Sequence, residues 1–302
     1  MDELADLVRR RAAALGFDQV GFARADEPLE DDYAHYEDFF DQGWHGEMGY
    51  LAAHREVRAR LDHEGILAGG KTVICLARRY DRDWSEDEGT VASGIARYAR
   101  GQDYHRFLRR RLQKLAAFVR ERGGQARAMV DTAPVLERAW AARSGLGFVG
   151  KNGLIIVPGQ GSYCLLGEVV TDLELPAGSY GQPMGERCGR CTACLDACPT
   201  DAFAAPYRLE PTRCISYLTI ETRGEPPPEL ADALTGHLFG CDDCQTVCPF
   251  NQRRLDPVSD ADRMERRRPF ITHPRWREVS WRELEGLDEE GFDRLTKGSP
   301  LR

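Results

Sequence analysis

Eight of the ten cysteines in this chain fall between positions 188 and 248, in two spaced runs. The first is Cys188-x2-Cys191-x2-Cys194-x3-Cys198, followed at once by Pro199. The second is Cys241-x2-Cys244-x3-Cys248, followed by Pro249. Leu238 stands where a further cysteine would open the second run, and Cys214 is the available substitute. Three chemistries use thiols this dense: an iron–sulfur centre, a zinc ribbon built on Cys188/Cys191 and Cys241/Cys244, or a set of disulfides. The ribbon leaves four of these cysteines idle and gives no reason for two Cys-Pro steps.

The first run has the spacing of bacterial two-cluster ferredoxins, in which the fourth cysteine of each run ligates the other run's cluster. Three thiolates two residues apart can wrap one face of a cubane, and the x3-Cys-Pro step turns the chain towards the next. On that pattern cluster one takes Cys188, Cys191, Cys194 and Cys248, and cluster two takes Cys198, Cys214, Cys241 and Cys244. Two complete 4Fe–4S sites result, with zinc and disulfides as the alternatives on spacing alone.

The cysteine module occupies about a quarter of the 302 residues, so the preceding stretch must form a core of its own. Hydrophobic residues at 42% and charged residues at 30% describe a globular protein. No apolar run approaches the ~20 residues of a membrane span. The start, MDELADLVRRRAAALGF, reads as an amphipathic helix with neither an apolar signal core nor a twin-arginine motif. A cytoplasmic location, reducing enough for free thiols and clusters, is the expectation. A formal net charge of −8 does not advertise nucleic-acid binding. Yet Arg253, Arg254, Arg263, Arg266, Arg267, Arg268, Arg275 and Arg277 crowd one stretch. They read either as a solvated surface or as a local phosphate-contact patch.

Apolar periodicity predicts helices over 2–15, 33–40, 50–61, 104–122 and 135–143. Strands are predicted over 19–23, 71–77, 91–98 and 125–130, with 154–157 and 162–171 as a pair. Alternating strands and helices imply an α/β domain. The Gly- and Pro-rich stretch 176–186 serves as a linker to a ferredoxin-like module. The division expected is 1–180, 181–255 and a short α-helical tail over 256–302.

A two-cluster module conducts electrons, so residues 1–180 should hold what receives them. Asp131 ends the strand predicted over 125–130, where α/β domains place ligand groups. It or Thr132 would equally cap the following helix, with Pro134 in its first turn. Gly145-x-Gly147-x-x-Gly150 has a dinucleotide-loop order, but no strand cleanly precedes it. Asp103-Tyr104-His105 begins a D-x-H-x-x-G corrinoid motif, but Leu108 replaces its glycine. His105 therefore reads as an ordinary pocket or surface histidine, and no protein histidine is expected below a bound corrinoid.

With these residues in view, the chain resembles the epoxyqueuosine reductase family. The resemblance rests on Gly46-Glu-Met-Gly-Tyr-Leu51, Ala96-Arg-Tyr98 with Gly101 and Asp103-Tyr-His105, Val130-Asp-Thr-Ala-Pro134, Gly150-Lys-Asn-Gly153 and the eight cysteines. It runs over almost the whole sequence. What it implies is a cobalamin-binding domain related to nitroreductase folds, followed by two 4Fe–4S clusters. It further implies reduction of epoxyqueuosine to queuosine at the wobble position of a tRNA anticodon stem-loop. Electrons would come from a small low-potential donor of flavodoxin or ferredoxin type. The family's proton donor maps onto Asp131, and its corrinoid contacts onto Arg58, Arg97, Tyr98, Asp131 and Asn152. Lys151 joins them as a group able to position the corrinoid amides or the substrate. Many members continue past the equivalent of Ser299-Pro-Leu-Arg302 into helical repeats that help to hold tRNA, which shifts expectation towards the arginines at 253–277.

To donate a proton near pH 7, Asp131 is expected in a poorly solvated pocket. The rival readings are a reductive dehalogenase-like cobalamin and iron–sulfur reductase, or a non-catalytic iron–sulfur electron carrier. The former is typically exported under a twin-arginine signal. The latter has no need of an α/β domain of about 180 residues.

Overall fold

Helix α1 (Glu3–Ala14) buries Ala5, Val8 and Ala12 along one side and stops at Gly16, whose φ of 85° no right-handed helix accommodates. Strand β1 (Gln19–Arg24) and helix α2 (Glu30–Asp41) follow. The helix expected over 50–61 is broken instead. A 3-10 turn at Gly49–Ala52 leads to His54 at φ 56°, and only the single turn α3 (Arg55–Arg58) comes after it. Then come strand β2 (Thr72–Arg79), helix α4 (Tyr104–Arg120), strand β3 (Ala126–Met129), helix α5 (Glu137–Arg143), the two-residue strands β4 (Phe148–Val149) and β5 (Ile155–Ile156), and strand β6 (Cys164–Thr171). This computed structural model describes residues 3–80, 87–252 and 269–301.

The main sheet has the order β1-β2-β6-β3, and every pair in it is antiparallel. The mixed fold is thus of the α+β kind. The pairing expected between 154–157 and 162–171 does not form. β5 pairs with β4, and β6 lies between β2 and β3, leaving one bridge from Val157 to Gly161. Both segments are apolar, and periodicity cannot say which strand a buried strand will choose.

Strand β2 reads as an unbroken apolar run because both its faces are covered. Ile74 and Leu76 face α1 and α4, packed with Leu108, Leu112, Leu115, Phe22 and Val169. Val73, Cys75 and Ala77 face the opposite way, towards Ala139, Trp140 and Ala141 of α5 and Val170 of β6. Fully buried leucines such as Leu112 each contribute about 2 kcal/mol by leaving water. Helix α4 lies so close to the sheet that a Cβ on Gly167 would stand 2.6 Å from Leu112 Cδ1.

Contacts divide the chain into two compact units. The first is Met1–Arg79 with His105–Cys191, and the second is Tyr80–Tyr104 with Thr192–Arg302. Segment 80–104 thus groups with the cysteine-rich half, so the compact units are not contiguous in sequence. In the second unit the strand expected over 91–98 is replaced by 3-10 turns at Val91–Gly94 and Arg97–Ala99, with Ile95 making a single bridge to Phe239. Buried turns of small residues and buried strands look alike in sequence. Here Gly94 is packed so tightly that a Cβ would lie 2.6 Å from Gly236 O. The unit continues through α6 (Ala193–Asp196), β7 (Phe203–Ala205), β8 (Arg208–Leu209), α7 (Ile215–Ile220), α8 (Asp243–Thr246) and α9 (Pro249–Gln252). Further short helices occupy Arg275–Glu278, Trp281–Glu285 and Glu289–Thr296. One apolar cluster in it gathers Val91, Ala92, Ile95, Ala99, Trp276 and Leu301, and Ala202, Ile215, Leu218, Leu230 and Phe270 are buried as well. Among the described residues no helix is long and apolar enough to cross a membrane.

Candidate functional site

Strand β3 hands the chain to Asp131, which sits at φ 41°. Left-handed backbone at a residue with a Cβ costs roughly 1 kcal/mol, least for Asp and Asn. The turn is held by a specific bond: the Asp131 N–H donates to Glu137 Oε1 at 2.8 Å. The helix-capping role considered for Asp131 or Thr132 is not realised. Helix α5 begins only at Glu137, its N-cap is Leu136, and no side chain caps it. Pro134 accordingly lies before the helix, not in its first turn. The carboxyl is therefore released from a structural duty and points to another partner. His105 Nε2, one residue into α4, lies 2.6 Å from Asp131 Oδ2.

Asp131 and His105 side chains are 48% and 31% exposed. The poorly solvated pocket expected around Asp131 is therefore not built by the described residues of its own unit. What the strand-end loop presents is an acid and an imidazole that can share one proton across a short bond, with an open side. His105, which the sequence reading set aside as an ordinary histidine, is the side chain brought onto Asp131. Its signal was the Asp103-Tyr104-His105 segment, which carries part of the family resemblance.

The desolvated carboxyls lie one step further in. Glu168, on the central strand β6, faces the α5 side of the sheet, flanked across the register by Cys75 and Met129. It is 1% exposed, and neither carboxyl oxygen has a donor among the described residues. The Glu137 carboxyl lies within hydrogen-bonding reach of it. Two carboxylates cannot bond to each other unless one carries a proton. Burial and then its neighbour push Glu168 well up. Burial also pushes Glu137 up to about 7, although it keeps some surface open to solvent. The Cys75 thiol beside them is pushed up by burial and by Glu168.

Of the residues assigned to a corrinoid, Arg58, Lys151 and Asn152 belong to this first unit together with Asp131. Arg58, in α3, is 7% exposed; its guanidinium carbon lies 5.4 Å from the Tyr36 ring centroid, and its Nε is buried with no partner among the described residues. Asn152 is 4% exposed; its Oδ1 accepts from Leu154 N–H at 3.3 Å, but its buried Nδ2 has no partner among the described residues. Buried donors left without acceptors each cost about 1–3 kcal/mol, and a bound acceptor-rich ligand removes that cost. Lys151 is engaged elsewhere. Its ammonium donates to Gly189 O at 2.6 Å and Cys191 O at 3.2 Å, bracing the first cysteine loop.

Arg97 and Tyr98 belong to the second unit. Arg97 N–H donates to Asp242 Oδ2 at 2.8 Å, and its guanidinium is 3.9 Å from the same oxygen. Asp242 lies between two of the cysteines, so their loop fixes the Arg97 turn. Arg97 also lines a cavity of about 430 Å³ whose wall includes Cys241 and Asp242. Tyr98 meets Tyr104 edge-on, with ring centroids 5.7 Å apart.

None of the ten cysteines is paired in a disulfide. In the first unit the Cys191 N–H donates to Cys188 O at 3.1 Å, and Gly189 at φ 51° makes that tight turn possible. In the second unit Cys244 is in electrostatic reach of Cys214, Cys194 and Cys198, and Cys241 of Cys244 and Cys214. Burial pushes the thiols of Cys214, Cys241 and Cys244 up. Clustered, partly buried thiols that resist ionisation alone are what a cationic centre converts to thiolate ligands. Cys198 Sγ already accepts from Ala202 N–H at 3.3 Å, and Cys241 Sγ from Asp243 N–H at 3.5 Å.

Two of the eight arginines in the 253–277 run are described, and both are occupied within the fold. Arg277 Nε donates to buried Asp87 Oδ1 at 2.6 Å, while Arg275 donates to the carbonyls of Leu295 and Lys297. Arg253, Arg254, Arg263, Arg266, Arg267 and Arg268 lie outside the described residues.

Comparison with known proteins places these segments in known families. Residues 187–251 match the 4Fe-4S double cluster binding domain, and residues 60–132 match the family described as epoxyqueuosine reductase QueG, DUF1730. The epoxyqueuosine reductase of Pseudomonas aeruginosa is 42% identical over 99% of this chain and 81% of its own length. An epoxyqueuosine reductase solved with an epoxyqueuosine-modified tRNA-Tyr stem loop superposes with a TM-score of 0.85 at 29% identity, over 99% of this chain and 76% of that one. The Bacillus subtilis epoxyqueuosine reductase, solved with its catalytic aspartate loop swung out of the active site, gives 0.84 at 28% identity, over 99% and 77%. Identity of this order along essentially the whole sequence places the chain in the epoxyqueuosine reductase family.

Proposed function

We propose that this chain reduces epoxyqueuosine to queuosine in the anticodon stem-loop of tRNA, using cobalamin and two 4Fe–4S clusters. The full-length likeness at 42% identity carries this reading. Cys188, Cys191, Cys194 and Cys248 ligate one cluster, and Cys198, Cys214, Cys241 and Cys244 the other. Arg58 and Asn152, with their unpartnered buried donors, contact the corrinoid together with Arg97, Tyr98 and Asp131. Lys151 supports the site through the cysteine loop it braces. When bound, the cobalamin supplies low-valent cobalt as nucleophile and reductant, and the clusters deliver electrons to it singly.

Opening the epoxide to an alkene takes two electrons and two protons and releases the ring oxygen as water. The first proton goes to that oxygen from Asp131, and the His105 imidazole 2.6 Å away resupplies the carboxyl from solvent. Substrate lying over the exposed side of Asp131 completes the desolvation that the first unit leaves unfinished. The cobalamin domain is a nitroreductase-fold relative, the tail is helical, and the donor is a small flavodoxin or ferredoxin in the cytoplasm.

The test is anaerobic reconstitution with iron, sulfide and cobalamin, followed by incubation with tRNA bearing epoxyqueuosine and a low-potential reductant. Mass spectrometry of digested tRNA should show a loss of one oxygen from the modified base. Full cluster and cobalamin loading without that mass change would overturn the reading.

A further inference from the structure

The resemblance supplies Asp131 but says nothing of what holds it, and the structure does. Asp131 stands in a left-handed turn, and that turn is tied by the bond from its N–H to Glu137 Oε1. Glu137 is the first residue of α5, which packs against the central strands, so its carboxyl is fixed from the core side. Behind it stands Glu168, fully buried, with two oxygens that no described donor satisfies. A lone acid in the middle of an apolar strand face is costly, and replacing it with an apolar residue would be favourable unless the acid has work to do.

We propose that Glu137 is a positioning residue for the reaction, holding the Asp131 loop in its productive turn through the Asp131 N–H, and that Glu168 is the buried partner that shares a proton with it. This deepens the reading above and rests on it for the role of Asp131. A hydrogen bond to a charged acceptor is about twice as strong as one to a neutral acceptor. While Glu168 carries the shared proton, Glu137 is the anionic acceptor and the loop is held. When a second proton arrives, with Glu137 titrating at about 7, the hold slackens. The groups facing the pair are Cys75 from β2, Asp131 from the strand-end loop with His105 behind it, and Arg138 beside Glu137 on α5. The Arg138 guanidinium donates to Gly153 O.

The experiment is hydrogen exchange of the peptide spanning 129–136 in the fully loaded protein, paired with the pH profile of turnover. Glu137→Ala should speed exchange at Asp131 by about tenfold, the scale of one hydrogen bond to a charged group, and slow turnover comparably, with iron, sulfide and cobalamin contents unchanged. Glu137→Gln keeps a neutral acceptor, so exchange should stay within about threefold of wild type. It should also abolish the fall in turnover expected of the wild type as pH drops through 7. Unchanged exchange in Glu137→Ala, or a surviving inflection in Glu137→Gln, overturns the proposal. Should wild type itself fail to convert epoxyqueuosine while Glu137→Ala still loosens the loop, the positioning stands and the assigned reaction fails.

Discussion

The two compact units are held together by different physics. The first encloses a sheet between two apolar layers, with Leu108, Leu112, Leu115, Ile74, Leu76 and Trp140 fully or almost fully excluded from water. The second buries fewer apolar residues, among them Val91, Ile95, Trp276 and Leu301, and strings very short helices around six of the eight clustered cysteines. A smaller apolar core offsets less of the chain entropy of over a hundred residues. The second unit must draw on ligation for order, whereas the first can tolerate a buried acid pair because its core supplies the surplus.

Removing the iron is the strongest way to break this contrast. Structural metal sites can supply about 10 kcal/mol of folding free energy. Anaerobic chelation should therefore collapse hydrogen-exchange protection over 192–252 and leave α1, α4 and the main sheet protected. Equal loss in both units would show that the first has no independent core.

A smaller effect sharpens the same contrast from the other side. Leu112→Ala empties a site that is fully buried against Gly167, and should destabilise the first unit by about 2–5 kcal/mol in denaturant unfolding. Iron and sulfide content should not change. A loss of clusters in this variant would couple what the account separates.

How far the sequence reached follows the same division. The double-cluster module was legible because most of its thiols are near neighbours along the chain, so their spacing matches the family pattern found over 187–251. Asp131 was legible through its Val130-Asp-Thr-Ala-Pro134 setting. Its helix-capping alternative fell because Glu137, not Asp131, satisfies the backbone at that corner. The Glu137–Glu168 pair joins residues 31 apart in sequence through a helix-on-sheet contact, which no periodicity announces. Glu168 looked like one polar residue in Leu165-Leu-Gly-Glu-Val-Val170, and only the register shows it flanked by Cys75 and Met129. The segment 91–98 was misread because small buried residues serve turns and strands alike.

The mildest expected effect belongs to that acid pair. A carboxyl whose native pKa is raised contributes stability that is complete below its ordinary value of 4.5 and is lost as pH rises through the native value, here about 7 for Glu137. Wild-type stability should therefore decline between about pH 5 and 7. Glu168→Gln removes one of the two carboxyls and offers Glu137 an amide donor, so the decline should shrink. Each pKa unit removed is worth about 1.4 kcal/mol, or about 2–4 °C in the melting temperature at pH 8. An unaltered slope would mean that the two carboxyls titrate independently.

The central claim, that Asp131 is the proton donor of an epoxyqueuosine reductase, is tested most directly by Asp131→Asn assayed on tRNA. Asparagine matches aspartate in size and tolerates the left-handed turn, and the backbone bond to Glu137 does not involve the side chain. The variant should fold, load both clusters and cobalamin, and bind tRNA. Conversion read by mass spectrometry of digested tRNA should nevertheless fall by about 10² or more, because an amide cannot donate the proton that the departing oxygen requires. Turnover within a few-fold of wild type would contradict the account and move the acid to His105 or to water.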